Sequence, residues 1–284
     1  MNNIFNIKRF GLVLRKDLME NWRRYALLFL TMLGIMALIL IWQSLEHYSS
    51  VARNSYHNPN HNQVLLTTLS FIFVICGLLF ASTFMNPMNN KIKRISWLVT
   101  PASNLEKYMS RWIIITVCYI ILFFVAVCIV DSLRVGICSI RYPELDVNFL
   151  NWNELIKQNN NFISDAVFDN RYLFALAFCG YFFHQSIFVL GSTFWEKSSF
   201  IKTFTAIAVI NYLFFQLCYL AIIIFYDNIH EFGNVLDSFA SLKKGDINPE
   251  RGITYISCIL STFTLINWTL SYFRLRESEI IKRF

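Results

Sequence analysis

The sequence predicts an all-α, polytopic integral membrane protein with six transmembrane helices, and three observations carry that reading. Hydrophobic residues make up 56% of the chain and charged residues only 15%, against about 25% charge in ordinary soluble domains. The apolar residues gather into six charge-free runs, each close to the roughly 20 residues that an α-helix needs to cross the hydrocarbon layer. Lys and Arg then collect in alternate connections between the runs, as expected when one set of loops stays on the cytoplasmic side.

In chain order the runs are Tyr25 to Leu45, Val64 to Met85, Trp112 to Val130, Tyr172 to Trp195, Thr203 to Tyr226 and Ile253 to Phe273. All five prolines fall outside them, so each run keeps its helical hydrogen bonds internal, as a lipid environment requires. The runs fill residues 1–284 so evenly that the chain reads as one transmembrane domain without a soluble domain. About two dozen residues precede the first run and no small-residue cleavage site follows it, so it reads as a span rather than a signal peptide. The seven cysteines are scattered, six of them within apolar runs, and read as small apolar packers.

With the N-terminus inside, the inner segments hold 17 Lys and Arg and the outer segments 8, while the acidic residues divide 6 to 12. Both termini are therefore expected in the cytoplasm, and a bacterial cytoplasmic membrane is the expected host. The formal charge of +7 sits beside apolar runs, where anionic headgroups lie, which argues against nucleic acid as a partner and for the lipid bilayer.

Ahead of the first run, Phe10, Leu14, Leu18 and Trp22 follow a four-residue stride, with Lys8, Arg9, Arg15, Lys16, Arg23 and Arg24 around them. The pattern predicts an amphipathic helix lying in the headgroup region before the first span, or else a simple topogenic anchor. Two outer loops follow later. Residues 131–171 are polar and Asn-rich, with a short helix expected near Glu154. Residues 227–252 place Ile229, Phe232, Leu236, Phe239 and Leu242 at helical steps, which predicts one amphipathic surface helix.

The inner loop from Pro87 to Arg111 carries the most interpretable pattern. Ser103-Asn104-Leu105-Glu106 fits a capping box, in which Ser103 caps a helix and Glu106 reaches back to the cap backbone. Pro101 disfavours helix at Thr100, so a break is expected between Lys91 to Val99 and the helix that begins there. A solvated turn with a well-capped helix behind it is the plainer reading of the same residues.

The stretch Leu98-Val99-Thr100-Pro101-Ala102-Ser103-Asn104-Leu105-Glu106-Lys107-Tyr108 resembles one found after the second span in the membrane subunits of ATP-binding-cassette exporters of the type-2 class. Six spans, the N-terminal helix and a short basic C-terminal tail are also similar to that family. The resemblance implies that Ser103, Asn104, Leu105, Glu106 and Lys107 form the loop that docks on a separate cytoplasmic ATPase. It further implies a second permease subunit, identical or related, with spans two and five lining a conduit. The charged loop between spans five and six departs from the hydrophobic hairpin common in that family.

Polar residues inside spans are costly in hydrocarbon and face either a protein interior or an aqueous path. His184, Gln185, Asn211, Gln216 and Asn267 are the candidates, with interhelical hydrogen bonding as the alternative role. His57 and His61 are spaced as helical metal ligands, but Pro59 between them opposes helix, so no metal site is expected. The sequence contains no phosphate-binding Gly-rich loop ending in Lys-Ser or Lys-Thr, HExxH or GxSxG, so neither catalysis nor a cofactor is expected of this chain. The expectation is therefore an exporter's membrane subunit, with a non-transporting scaffold as the alternative.

Overall fold

The computed structural model describes residues 5–53, 61–86, 91–152, 171–195, 197–225 and 249–281. The regular elements in these residues are α1 (Ile7–Ala52), α2 (His61–Ala81), α3 (Lys91–Val99), α4 (Asn104–Ile113), a π-helical turn (Ile114–Cys118), α5 (Tyr119–Arg141), α6 (Arg171–Phe194), α7 (Ser199–Phe225) and α8 (Pro249–Ile281). No strand occurs among them, and six helices are long and apolar enough to cross a membrane. The helices expected near Glu154 and across Ile229 to Leu242 lie outside the described residues.

Two sequence expectations need correction. The N-terminal segment is not a separate interfacial helix, because α1 runs unbroken for 46 residues through the first span. Val13 and Asp17 are buried, whereas Leu18 and Trp22 are exposed. A four-residue stride advances about 40° per step around a helix of 3.6 residues per turn, so Phe10 to Trp22 spread over about 120° of the helix.

The third span likewise exceeds its apolar run, continuing to Arg141. The extension holds because Asp131 and Arg134, both buried, pair at 2.7 Å. Leu150 N–H donates to Asp131 Oδ2 at 3.0 Å, and Arg134 Nη2 donates to the Asn148 carbonyl at 2.8 Å. Each buried charge thus has its partner, and the helix extends past its apolar run without an unsatisfied ion.

Packing groups the spans. α1 lies along α4 and α5, α6 along α8, and α7 rests chiefly on α6. Aromatic rings fill the centre: Phe73 of α2 meets Phe123, Tyr181 and Tyr119 at centroid distances of 4.9, 4.7 and 5.6 Å. Tyr119 Oη donates to the Phe73 carbonyl at 2.6 Å, giving the ring a polar anchor within the apolar core. This convergence depends on Gly77, where a Cβ would clash with Tyr181 Oη and come within 3.1 Å of the Tyr119 ring.

Candidate functional site

The break expected at Pro101 is present. α3 ends at Val99, and α4 begins at Asn104 with Ser103 as its cap in extended conformation. Both halves of the capping box form: Glu106 N–H donates to Ser103 Oγ at 3.2 Å, and Ser103 N–H donates to Glu106 Oε2 at 2.9 Å.

Glu106 does more than cap its own helix. Arg9 of α1 grips the same carboxylate with Nε to Oε2 at 2.7 Å and Nη2 to Oε1 at 2.8 Å. The backbone N–H of Asn6, the residue that caps α1, donates to Oε1 at 2.7 Å. One fully buried carboxylate therefore accepts four hydrogen bonds and ties the starts of α1 and α4 together. The Arg9 hydrogen bonds, helped by the two backbone donors against the cost of burial, hold its pKa down to about 2. Because the folded value is depressed, this stabilisation is present at neutral pH and is lost as pH falls from the ordinary carboxylate range towards that value.

Further contacts extend the junction along α1. Lys16 Nζ donates to Thr100 Oγ1 at 2.6 Å, holding the turn after α3. Asp17, buried one turn above Val13, faces Arg111 of α4 at 3.6 Å, and Arg111 Nη1 donates to the Phe84 carbonyl at the end of the second span at 2.9 Å. Burial pushes the Asp17 carboxyl above the usual carboxylate range, and the Arg111 charge opposes that push. Lys107 lies over the buried Trp97 ring at 5.1 Å, joining α4 to α3 by a cation–π contact. Tyr108 reaches the last span, with its hydroxyl 2.8 Å from Ser271 Oγ and 3.0 Å from the Trp268 carbonyl.

The expected loop residues thus divide by location. Glu106 and Lys107 are buried, while Ser103, Asn104 and Leu105 are partly buried. The exposed apolar surface belongs to α3, where Ile92, Ile95 and Val99 are 77, 53 and 74% exposed. At 3.6 residues per turn these three lie within roughly 60° of one another, forming one apolar stripe.

The five polar span residues also separate. Gln185 is fully buried, with Nε2 3.4 Å from Thr116 Oγ1 in the π-helical turn. Beside it, Asn267 Nδ2 donates to the buried Ser186 Oγ at 3.0 Å. His184, Asn211 and Gln216 instead lie on exposed surface. Only 6% of the apolar window of the fifth span is buried against the rest of the chain, and both Asn211 and Gln216 belong to that span.

Sequence reading missed the partners of Glu106 and the pair Asp17 and Arg111. One signal was available: Asp17 and Glu20 are the only acids among the first 45 residues, within a basic segment. Comparison with protein-family models, curated proteins and solved structures finds no match for this chain.

Proposed function

We propose that this chain is the membrane subunit of an ATP-driven exporter of the type-2 ATP-binding-cassette class. It works with a second such subunit and with separate ATPases on the cytoplasmic side of a bacterial inner membrane. The observation that carries the reading is the four-bond seat of Glu106, which makes the 103–107 stretch and the start of α1 one mechanical unit. A surface loop that served only as a connection has no need of such a seat.

In this reading the buried Glu106 and Lys107 brace the loop, and the ATPase meets the exposed stripe Ile92, Ile95 and Val99. ATP binding draws the ATPases together and displaces α3. Lys16, Arg9 and Arg111 pass the displacement to α1 and α4, so that spans one and three move between inward- and outward-facing states. The π-helical turn lies between α4 and the rest of the third span, a place where helices commonly adjust at functional sites. Asn211 and Gln216 on the little-buried fifth span face the second subunit or the conduit formed with it, where polar side chains find partners. A non-transporting scaffold is favoured by one observation, that Gln185 and Asn267 are engaged in hydrogen bonds within the chain while His184, Asn211 and Gln216 lie on its exposed surface.

Two experiments check this. The Lys and Arg distribution places Ser96 inside and Arg141 outside, and both residues are exposed. In a variant without native cysteines, Arg141→Cys should react with an impermeant thiol reagent in intact cells, and Ser96→Cys only after lysis. Reaction at Ser96→Cys in sealed cells would reverse the orientation. For function, MgATP hydrolysis should co-purify with the chain from native membranes and be lost with Ile95→Asp. Preparations free of hydrolysis, or an unaffected Ile95→Asp variant, would contradict the assignment.

A further inference from the structure

A lateral groove opens between the first, second and third spans, with about 520 Å³ of space along it, open solvent included. Leu28, Phe29 and Met32 of α1, Cys76 and Phe80 of α2 and Leu122 of α5 form its wall. The hydroxyls at the wall are already engaged: Thr31 Oγ1 donates to the Leu28 carbonyl and Tyr119 Oη to that of Phe73. The interior therefore offers dispersion contacts and almost no hydrogen bonds, which suits a hydrocarbon chain and not a peptide.

The mouth of the groove is different. Tyr25 lines it, and Arg24, four residues before the lining Leu28, lies on the same face of α1. Asp17 is engaged by Arg111, leaving Arg24 exposed and without a carboxylate partner among the described residues. Arg111 Nε also has no hydrogen-bond partner there, although that side chain is buried. Lys16, Arg24 and Arg111 thus stand around two carboxylates, Asp17 and Glu20, and the charge left over is positive.

We propose that this groove is a binding site for one anionic glycerophospholipid, with an acyl chain between the three spans and the phosphate at Arg24. The two halves of the ligand match the two halves of the site. An uncharged lipid fills the slot without satisfying the cation, and a soluble phosphate ester satisfies the cation without filling the slot. The site is independent of ATP hydrolysis and stands or falls apart from the transport reading.

The test uses the full chain, purified and delipidated in detergent. Thermal unfolding is followed with phosphatidylglycerol, with phosphatidylcholine of the same acyl chains, and with glycerol phosphate. Ligand that binds only the folded state raises the midpoint, so phosphatidylglycerol should raise it by several degrees more than phosphatidylcholine, and glycerol phosphate should leave it unchanged. Arg24→Gln should cut the preference for the anionic lipid about fivefold, the scale expected of one cation at an anionic surface. Arg23→Gln, whose guanidinium stacks on Trp22, should keep the preference, and Leu28→Trp should reduce stabilisation by both lipids. Equal shifts for the two lipids, an Arg24→Gln variant that keeps its preference, or a matching shift with glycerol phosphate would each overturn the site.

Discussion

Arg111→Met is expected to destabilise the folded chain by about 3–5 kcal/mol, the usual cost of removing one partner from a buried ion pair. Asp17 and Arg111 are only 2 and 4% exposed, so neither has water to fall back on. Without Arg111, Asp17 keeps a long hydrogen bond from Ser110 at 3.4 Å and the weaker influence of the Lys16 charge, and the Phe84 carbonyl loses its donor. The sign of the pH dependence follows from the direction of the Asp17 shift. Burial raises its folded pKa, and loss of the Arg111 charge raises it further. The folded variant therefore binds a proton more tightly than the unfolded chain, so its deficit is greatest at high pH and shrinks as pH falls through the raised value. Asp17→Leu added to Arg111→Met should recover much of the loss, because replacing both charges with apolar groups leaves no buried ion. Denaturation of each variant in detergent across pH checks this. A double variant no more stable than the single one would show that the pair is not the source of the effect.

The spans were legible because their signal is local: a run of apolar residues longer than the membrane is thick stands out without knowledge of its neighbours. The capping box was legible for the same reason, since Ser103 and Glu106 lie within one helical turn. What the sequence hid depends on distant pairing. The partner of Glu106 is Arg9, 97 residues away, and among six basic residues before the first span nothing local singles it out. The same holds for Asp17, whose burial is intelligible only once Arg111 faces it. The stride of Phe10, Leu14, Leu18 and Trp22 gave no sign that the same helix runs on unbroken through the first apolar run. The helix of the third span continues past its apolar run, which the sequence hid because Asp131 and Arg134 look like a loop until their pairing is seen. The close approach of the Tyr119 and Tyr181 rings to Gly77 also depends on distant residues and leaves no local sign in the sequence. Gln185 and Asn267 follow the hydrogen-bonding alternative, whereas Asn211 and Gln216 keep exposed polar groups on the fifth span.

The second large effect concerns the seat of Glu106 itself. Ser103→Ala combined with Glu106→Ala removes both halves of the capping box and all four hydrogen bonds to the carboxylate. Arg9 is about one-third exposed and turns to solvent without leaving a buried charge. The six apolar helices and the charges at Arg94 and Arg111 are untouched, so insertion should proceed at near-normal abundance. Loss of a helix cap costs about 0.5–2 kcal/mol, equivalent to roughly two- to thirtyfold in an equilibrium. That is enough to loosen the start of α4 from the start of α1, while the Asp17–Arg111 pair and the Lys16–Thr100 contact still hold the elements together.

The most direct measurement is the amount of cassette ATPase that co-purifies with this double variant, compared with the unaltered chain at equal membrane abundance. The account predicts retention lowered severalfold, with a parallel fall in the ATP hydrolysis recovered. Undiminished ATPase retention and hydrolysis in the double variant would contradict the claim that the Glu106 junction couples this chain to an ATPase.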